Sequence, residues 1–364
     1  MRVLIAAGGT GGHIFPALAV AEELRARASK RGAGETDCAI HFIGTARGLE
    51  SRLIQKAGFP FTAISAAGLK GIRGWRKVRN LLVLPRSALE TASVLRVFQP
   101  RVVVGMGGYV AGPAMLEAAL EGIPTLLMEP NAAPGFTNRA LGPVVTLAAV
   151  GFEKAAEHYG AKARVTGYPV RRGFFDVATR KPGGPPAVLV FGGSQGSAAI
   201  NRRVIESLPL FAAAEWPCGF IHQTGERDFD EVRAAYEKHR LRAEICAFIE
   251  NMAEAFARAD LVVCRAGAST LAELAAAGKA AILIPFPGAT DQHQLENARA
   301  FESAGAARVI EERELTPERL AREVMDLLSQ PDRLRAMAIA ARSLARPDAA
   351  GRIANLIEEL ACRP

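Results

Sequence analysis

At 364 residues the chain exceeds what one hydrophobic core usually serves, so two domains are expected. Hydrophobic residues make up 49% and charged residues 23%, the balance of an ordinary globular enzyme rather than of a disordered or membrane-spanning protein. A formal charge of +8 invites a nucleic-acid partner, but there is no zinc-finger spacing, no RNP-type aromatic motif and no long basic tail, so none is expected.

Residues 2–13, RVLIAAGGTGGH, read as a buried strand running into a glycine turn and then a helix. Such a turn lets the backbone approach a ligand closely, and the helix start adds unpaired N–H groups with about half a unit of positive charge. The dipole also disfavours a protonated His13, leaving a neutral imidazole able to accept a proton; the competing reading is a packing or capping histidine. A nicotinamide-binding fold wants an acid after its second strand, where IHFIGTARG supplies Gly44 and Thr45, and no GxxxxGK[ST] loop is present. The apolar start breaks at Gly8, too early for a signal sequence, and no run reaches the ~20 apolar residues of a spanning helix. A protein that is soluble or peripheral to a membrane is expected.

From residue 66 to 86 the chain carries Lys70, Arg73, Arg76, Lys77, Arg79 and Arg86 with no acid, interleaved with Leu69, Ile72, Trp75, Val78, Leu81 and Leu82. That pattern fits an amphipathic element lying on anionic lipid, or an ordinary helix with a core stripe and a solvated basic face. GMGGYVAGP follows with Gly107, Gly108 and Tyr109, either a tight packing turn or a second set of amides facing a ligand. EPNAAPGFTNR then places Glu129, Asn131 and Asn138 in a loop, as caps or as ligands.

Strand-like runs at 2–7, 39–43, 101–105, 123–128 and 144–150, then 187–191, 218–223, 244–248, 260–264 and 280–284, alternate with amphipathic stretches at 16–29, 113–121, 230–239, 270–277, 294–304 and 317–328. The class is therefore α/β: two Rossmann-like, doubly wound parallel-sheet domains facing a central cleft. The Pro- and Gly-rich stretch 166–186 marks the joint, giving domains 1–167 and 168–346. A last helix at 347–362, with Ile353, Leu356, Ile357 and Leu360 on one face, is expected to pack back on the first domain.

The second domain repeats the device in AVLVFGGSQGSAAIN (187–201), with Ser194 in the turn. Asp228 and Asp230 form a DxD, but they open a charged helix instead of closing a strand, so no metal site is expected. In CRAGASTLAE, Thr270 and Glu273 read as a capping box; alternatively the amides of Ala268, Ser269 and Thr270 hold a phosphate while Glu273 accepts from a ribose. GATDQHQLENA adds Asp291, Gln292, His293, Gln294 and Asn297, residue types that bind sugar hydroxyls or open a polar helix. Five scattered cysteines give no disulfide or zinc pattern, which fits a reducing cytoplasm.

Taken in order, GGTGGHIFPALAVA, GMGGYVAGP, EPNAAPGFTNR, TGYPVR, GGSQGS, FIENM, CRAGASTLAE and PFPGATDQHQLENA closely resemble the MurG family, bacterial peptidoglycan glycosyltransferases of the GT-B fold. The resemblance covers essentially the whole length. It departs at Met128 and Pro130, within the family's usual His-Glu-Gln-Asn, and at Tyr168, within its Thr-Gly-Asn-Pro.

The resemblance implies an inverting transfer of GlcNAc from UDP-GlcNAc to the 4-hydroxyl of undecaprenyl-linked muramyl-pentapeptide, lipid I becoming lipid II. It implies His13 as base. Donor contacts would come from Thr10, Gly11, Gly12, Asn131, Arg171, Ser194, Ile249, Met252, Ala268, Ser269, Thr270, Glu273, Gln294 and Asn297, and acceptor contacts from Gly107, Gly108 and Tyr109. Leu69, Ile72, Arg73, Trp75, Arg76, Lys77 and Val78 would rest on the anionic cytoplasmic face of the inner membrane. No cofactor is implied, and partners among cell-wall synthesis and division proteins are. Alternatives on the same scaffold are a UDP-GlcNAc epimerase and a glycolipid transferase; a nucleotide-sugar-binding or nucleic-acid-binding module without catalysis is a third.

Overall fold

The computed structural model describes residues 1–8, 11–32, 38–45, 49–66, 75–177, 184–215, 217–289 and 292–362, with the backbone alone for residues 11, 49–50 and 75–84. Thr10, Leu69, Ile72, Arg73 and Asp291 lie outside the described residues, as do the side chains of Trp75, Arg76, Lys77 and Val78.

The chain forms two compact units, Met1–Arg171 with Arg346–Pro364, and Arg172–Ala345. The division falls at 171/172, not at the 167/168 joint expected from the Pro- and Gly-rich stretch. The residues between stay with the first unit for a packing reason. A Cβ at Gly167 would sit 2.5 Å from Arg346 Cβ, and the Arg171 guanidinium lies 4.8 Å from the centroid of the Phe15 ring.

The first unit carries seven strands, β1 (Arg2–Ala6), β2 (Ala39–Gly44), β3 (Phe61–Ala63), β4 (Val102–Gly105), β5 (Thr125–Glu129), β6 (Leu147–Val150) and β7 (Ala163–Val165). They form one parallel sheet in the order β3-β2-β1-β4-β5-β6-β7. Its crossover helices are α1 (Gly11–Lys30), α2 (Leu49–Lys56), α3 (Trp75–Phe98), α4 (Gly108–Leu120), α5 (Phe136–Leu141) and α6 (Glu153–Tyr159). Every residue of β4, β5 and β6 is buried, which is why these strands read as unbroken apolar runs.

The second unit has β8 (Ala187–Phe191), β9 (Gly219–Gln223), β10 (Ala243–Cys246), β11 (Leu261–Cys264), β12 (Ala280–Leu283) and β13 (Ala307–Val309), all parallel, in the order β10-β9-β8-β11-β12-β13. Around it stand α7 (Ala198–Ala213), α8 (Phe229–Lys238), α9 (Met252–Arg258), α10 (Ala268–Ala277), α11 (His293–Ser303), α12 (Pro317–Leu328) and α13 (Pro331–Ser343).

The last helix, α14 (Ala349–Ala361), belongs to the first unit, where Ile353, Ile357 and Leu360 join the core of Val20, Leu24 and Val104. Arg27 of α1 fastens it, donating to the Gly351 carbonyl at 2.9 Å and to Asn355 Oδ1 at 2.6 Å, and pairing with Glu358 at 3.3 Å. Among the described residues, no helix is long and apolar enough to cross a membrane.

Strand order reverses once in each sheet, between β1 and β4 and between β8 and β11. Ligands of open parallel sheets bind beyond the carboxyl ends of the strands at such a reversal. The glycine turn after β8 leaves the sheet there, and so does the chain that leaves β1 at Ala7 and Gly8.

Candidate functional site

In the first unit, β1 and β4 end side by side, with Ala6 opposite Gly105. The chain leaving β4 turns through Gly107 and Gly108, at φ +89° and +76°, and starts α4 with Gly107 as N-cap and no side-chain cap. Glycine is needed twice over, for the positive φ and for space. A Cβ on Gly107 would stand 3.1 Å from His13 Cε1, and one on Gly108 would stand 3.0 Å from the Gly8 carbonyl and 3.6 Å from His13 Cδ2. The His13 ring, in the first turn of α1, therefore lies flush against the turn that opens α4. Tyr109 follows, half exposed. Gly12 presents its carbonyl to the Tyr168 hydroxyl, which donates to it.

Behind the turn, Glu129 ends β5 and is almost wholly buried. Its carboxylate accepts four N–H donors: Asn131 N at 2.9 Å and Asn131 Nδ2 at 3.1 Å, Gly135 N at 3.1 Å, and Asn138 Nδ2 at 2.8 Å. Burial pushes its pKa above the ordinary carboxyl value, while these donors pull it down. Asn138 Nδ2 also donates to the Met128 carbonyl at 2.9 Å, and it would lie 3.7 Å from a Cβ on Gly107. Glu129 thus pins the Asn131–Asn138 loop beside His13. The amide of Asn131, expected to read a sugar, is bound to Glu129.

In the second unit, the turn after β8 holds Gly193 and Gly196 at φ +101° and +73°, with Ser194 exposed between them. A Cβ on Gly196 would fall 1.8 Å from the Thr224 carbonyl, so only glycine permits this turn to meet the exit of β9. Ser197 caps α7, accepting from Ile200 N at 3.5 Å. Beneath it a buried network fixes the turn: Asn201 Nδ2 donates to the Thr224 carbonyl at 2.9 Å and to Asp228 at 2.8 Å, while Asn201 Oδ1 faces His222 Nε2 at 3.1 Å.

Helix α10 starts earlier than the capping-box reading required. Its N-cap is Gly267, extended and without a side-chain cap, so Thr270 is the third helical residue and not the cap. The capping box between Thr270 and Glu273 is therefore corrected, and the amides of Ala268, Ser269 and Thr270 are the free first turn of a ten-residue helix. Glu273, half buried one turn further on, lies near enough to Cys264 to raise its thiol pKa beyond the larger effect of burial. Ile249 and Met252, both half buried, flank the start of α9, which packs on α10. Gln294 Oε1 accepts from Phe286 N at 3.0 Å, and Asn297, fully buried, donates from Nδ2 to the Ala266 carbonyl at 3.4 Å. Both hold the chain leaving β11 and β12. Arg171 lies in the first unit, over Phe15, rather than in the second, where the expected boundary had placed it.

Asp228 is tied to Asn201 and, at 2.8 Å, to Arg227; Asp230 lies 3.3 Å from Arg233 on the first turn of α8. Sequence reasoning gave no role to Arg265 or Tyr168, although both stand inside segments it singled out. Their roles rest on which distant carbonyls and hydroxyls they reach, and nothing in the local pattern signals that.

Comparison with known proteins agrees with this architecture. Residues 3–150 match the glycosyltransferase family 28 N-terminal domain and residues 187–353 its C-terminal domain. The chain is 46% identical, over 100% of its length and 94% of the relative, to a protein of Anaeromyxobacter dehalogenans (strain 2CP-1 / ATCC BAA-258) named UDP-N-acetylglucosamine--N-acetylmuramyl-(pentapeptide) pyrophosphoryl-undecaprenol N-acetylglucosamine transferase. It is 45% identical to the protein of the same name from Myxococcus xanthus (strain DK1622), over 99% of this chain and 93% of that one. The crystal structure of Acinetobacter baumannii MurG superimposes with a TM-score of 0.79 at 33% identity, covering 98% of this chain and 99% of that one. Its two Rossmann-like parallel-sheet domains are those of a GT-B glycosyltransferase, and the chain belongs to glycosyltransferase family 28.

Proposed function

We propose that this protein transfers GlcNAc from UDP-GlcNAc to the 4-hydroxyl of undecaprenyl-pyrophosphoryl-MurNAc-pentapeptide, with inversion from α donor to β product. The observation that carries the reading is the paired device at the two sheet reversals. Each has a glycine turn beside a helix that starts without a side-chain cap, α4 in one unit and α10 in the other. Two anion sites suit a reaction whose donor and acceptor both carry a diphosphate. The relatives' name supplies the same pair of substrates.

In this reading α10 and the Gly193–Ser197 turn take the donor diphosphate, Glu273 the ribose, and Ile249 and Met252 border the uracil. The muramyl 4-hydroxyl attacks the anomeric carbon while the bond to the UDP oxygen breaks, and its proton passes to His13, whose imidazole lies against the Gly107–Gly108 turn. Negative charge growing on the departing UDP is met by the N-terminus of α10. No metal is required for that, and Asp228 and Asp230 already have partners in Asn201, Arg227 and Arg233.

The enzyme docks on the anionic cytoplasmic leaflet through its first unit. Support comes from the acid-free basic stretch at 66–86 and from Tyr109, Leu116 and Leu120, which are exposed along one face of α4. Leu89 and Val97 are also exposed on α3, which packs against α4.

The test is incubation of the purified protein with UDP-GlcNAc and a lipid I analogue. UDP release that depends on the acceptor, with a β-1,4-linked disaccharide product and no loss in EDTA, is expected. UDP-ManNAc formed without acceptor would establish an epimerase instead.

A further inference from the structure

The guanidinium of Arg265 reaches the exits of four neighbouring strands of the second sheet. Arg265 itself directly follows β11. On one side its Nη2 donates to Ser197 Oγ at 2.9 Å, the N-cap hydroxyl of the turn after β8. On the other side Nη1 donates to the carbonyls of Ile284 and Pro285, both at 3.2 Å, where the chain leaves β12. Nη2 also pairs at 2.5 Å with Glu312, which follows β13. The group lies 5.3 Å from the centroid of the Phe286 ring, and Phe286 N in turn holds Gln294.

Buried arginine is retained only where its charge and its fork of donors are answered, and here carbonyls, a hydroxyl, a carboxylate and a ring face answer them. What these partners have in common is position. Ser197 fixes the glycine turn after β8, residues 267–270 follow Arg265 after only Ala266, and Phe286 and Gln294 fix the segment that leads into α11. These are the three segments that the donor reading needs, and each leaves the sheet where regular backbone pairing stops.

We infer that Arg265 is the positioning residue of the donor half-site, holding the strand-exit turns in the one arrangement in which their amides converge on a nucleotide diphosphate. The inference rests on the donor reading above. Arg265 touches no substrate; it sets the spacing between the Gly193–Ser197 amides and those that open α10. A lysine cannot replace it, because a single ammonium lacks the planar fork that serves Ser197 and the β12 carbonyls at once.

The test is UDP binding by calorimetry on the full chain, together with donor and acceptor KM for the wild type, Arg265→Met, Arg265→Lys and Glu312→Gln. Loss of charged hydrogen bonds should weaken UDP binding and raise donor KM by about tenfold or more in Arg265→Met, with acceptor KM held within about twofold. Arg265→Lys should recover only part of the loss, and Glu312→Gln should raise donor KM by about threefold. Should Arg265→Met fail to fold, Glu312→Gln carries the same comparison. Unchanged UDP affinity in a folded variant, or equal rises in donor and acceptor KM, overturns the assignment. A wild type that binds no UDP overturns the donor reading itself, a different failure from a wild type and variant that bind equally.

Discussion

The hydroxyl of Tyr168 donates to the carbonyl of Gly12, the acceptor in α1 that Pro16 leaves without an amide. In a helix the carbonyl of residue 12 is met by the N–H of residue 16, and proline has none. The side chain that fills the gap comes from 156 residues away and meets the backbone immediately before His13. Tyr168→Phe should therefore cost about 1 kcal/mol of stability, the net worth of one hydrogen bond. Because the free carbonyl adjoins His13, kcat should also fall, with donor KM unchanged. Chemical denaturation and steady-state kinetics on the same preparation check both, and a variant identical to wild type in both removes the role.

His13 carries the proton in the proposed reaction. His13→Ala should lower kcat by ~10² to 10⁴-fold, the range of general-base catalysis, with UDP affinity preserved. Near-normal turnover would take His13 out of that role and leave it a packing residue against Gly107.

His222 gives a pH prediction with a definite sign. Asn201 Nδ2 is committed to the Thr224 carbonyl and Asp228, so Asn201 Oδ1 accepts from His222 Nε2–H, and His222 Nδ1 accepts from the Tyr236 hydroxyl at 3.3 Å. This is the neutral imidazole, fully buried, and burial lowers its pKa to about 3. The unfolded chain takes up a proton near the ordinary value of about 6.5, so the stability contribution is complete above that pH and is lost as pH falls toward the folded value. Between about pH 6 and pH 4 this one group should contribute a slope of about 1.4 kcal/mol per pH unit. His222→Gln should flatten the acid limb of unfolding free energy against pH by that amount; an unchanged limb contradicts the assignment.

The proposed membrane docking should separate from chemistry. Charge reversal at Arg73, Arg76 and Lys77 should reduce binding to vesicles containing anionic lipid, and Leu116→Ser with Leu120→Ser should reduce it further, while activity on a short-tailed soluble acceptor persists. Raising salt should weaken wild-type binding, since electrostatic adsorption decays over about 8–10 Å at physiological ionic strength. Vesicle binding that ignores both the substitutions and the salt would contradict this surface.

Most of the fold is legible because its inner strands are buried on both faces and therefore unbroken in their apolar character, as in VLIA at β1 and LVVC at β11. The strands not foreseen, β3, β7 and β13, are three residues long and lie at sheet edges, where short length and partial exposure erase the pattern. Helix α1 begins at Gly11, beside the expected start at His13, and the Tyr168 contact with the Gly12 carbonyl lets it run through Pro16. The glycine turns of the site were visible for the same reason they work: positive φ and close approach leave no alternative residue at Gly107, Gly108 and Gly196. Arg265, Tyr168 and the Glu129 cradle were not, since their partners are brought to them only by the folded sheet. The capping box failed because its spacing also fits a helix whose N-cap lies three residues earlier, at Gly267, without a side-chain cap.

Two glycine turns, Gly107–Gly108 and Gly193–Ser197, stand at a sheet reversal beside a helix start, and one of them takes the nucleotide. A crystal structure with UDP-GlcNAc decides which. The diphosphate is expected at the amides of Ala268–Thr270, with the ribose hydroxyls on Glu273; UDP bound instead against His13 and the Gly107–Gly108 turn, with α10 vacant, would contradict the assignment of donor and acceptor halves.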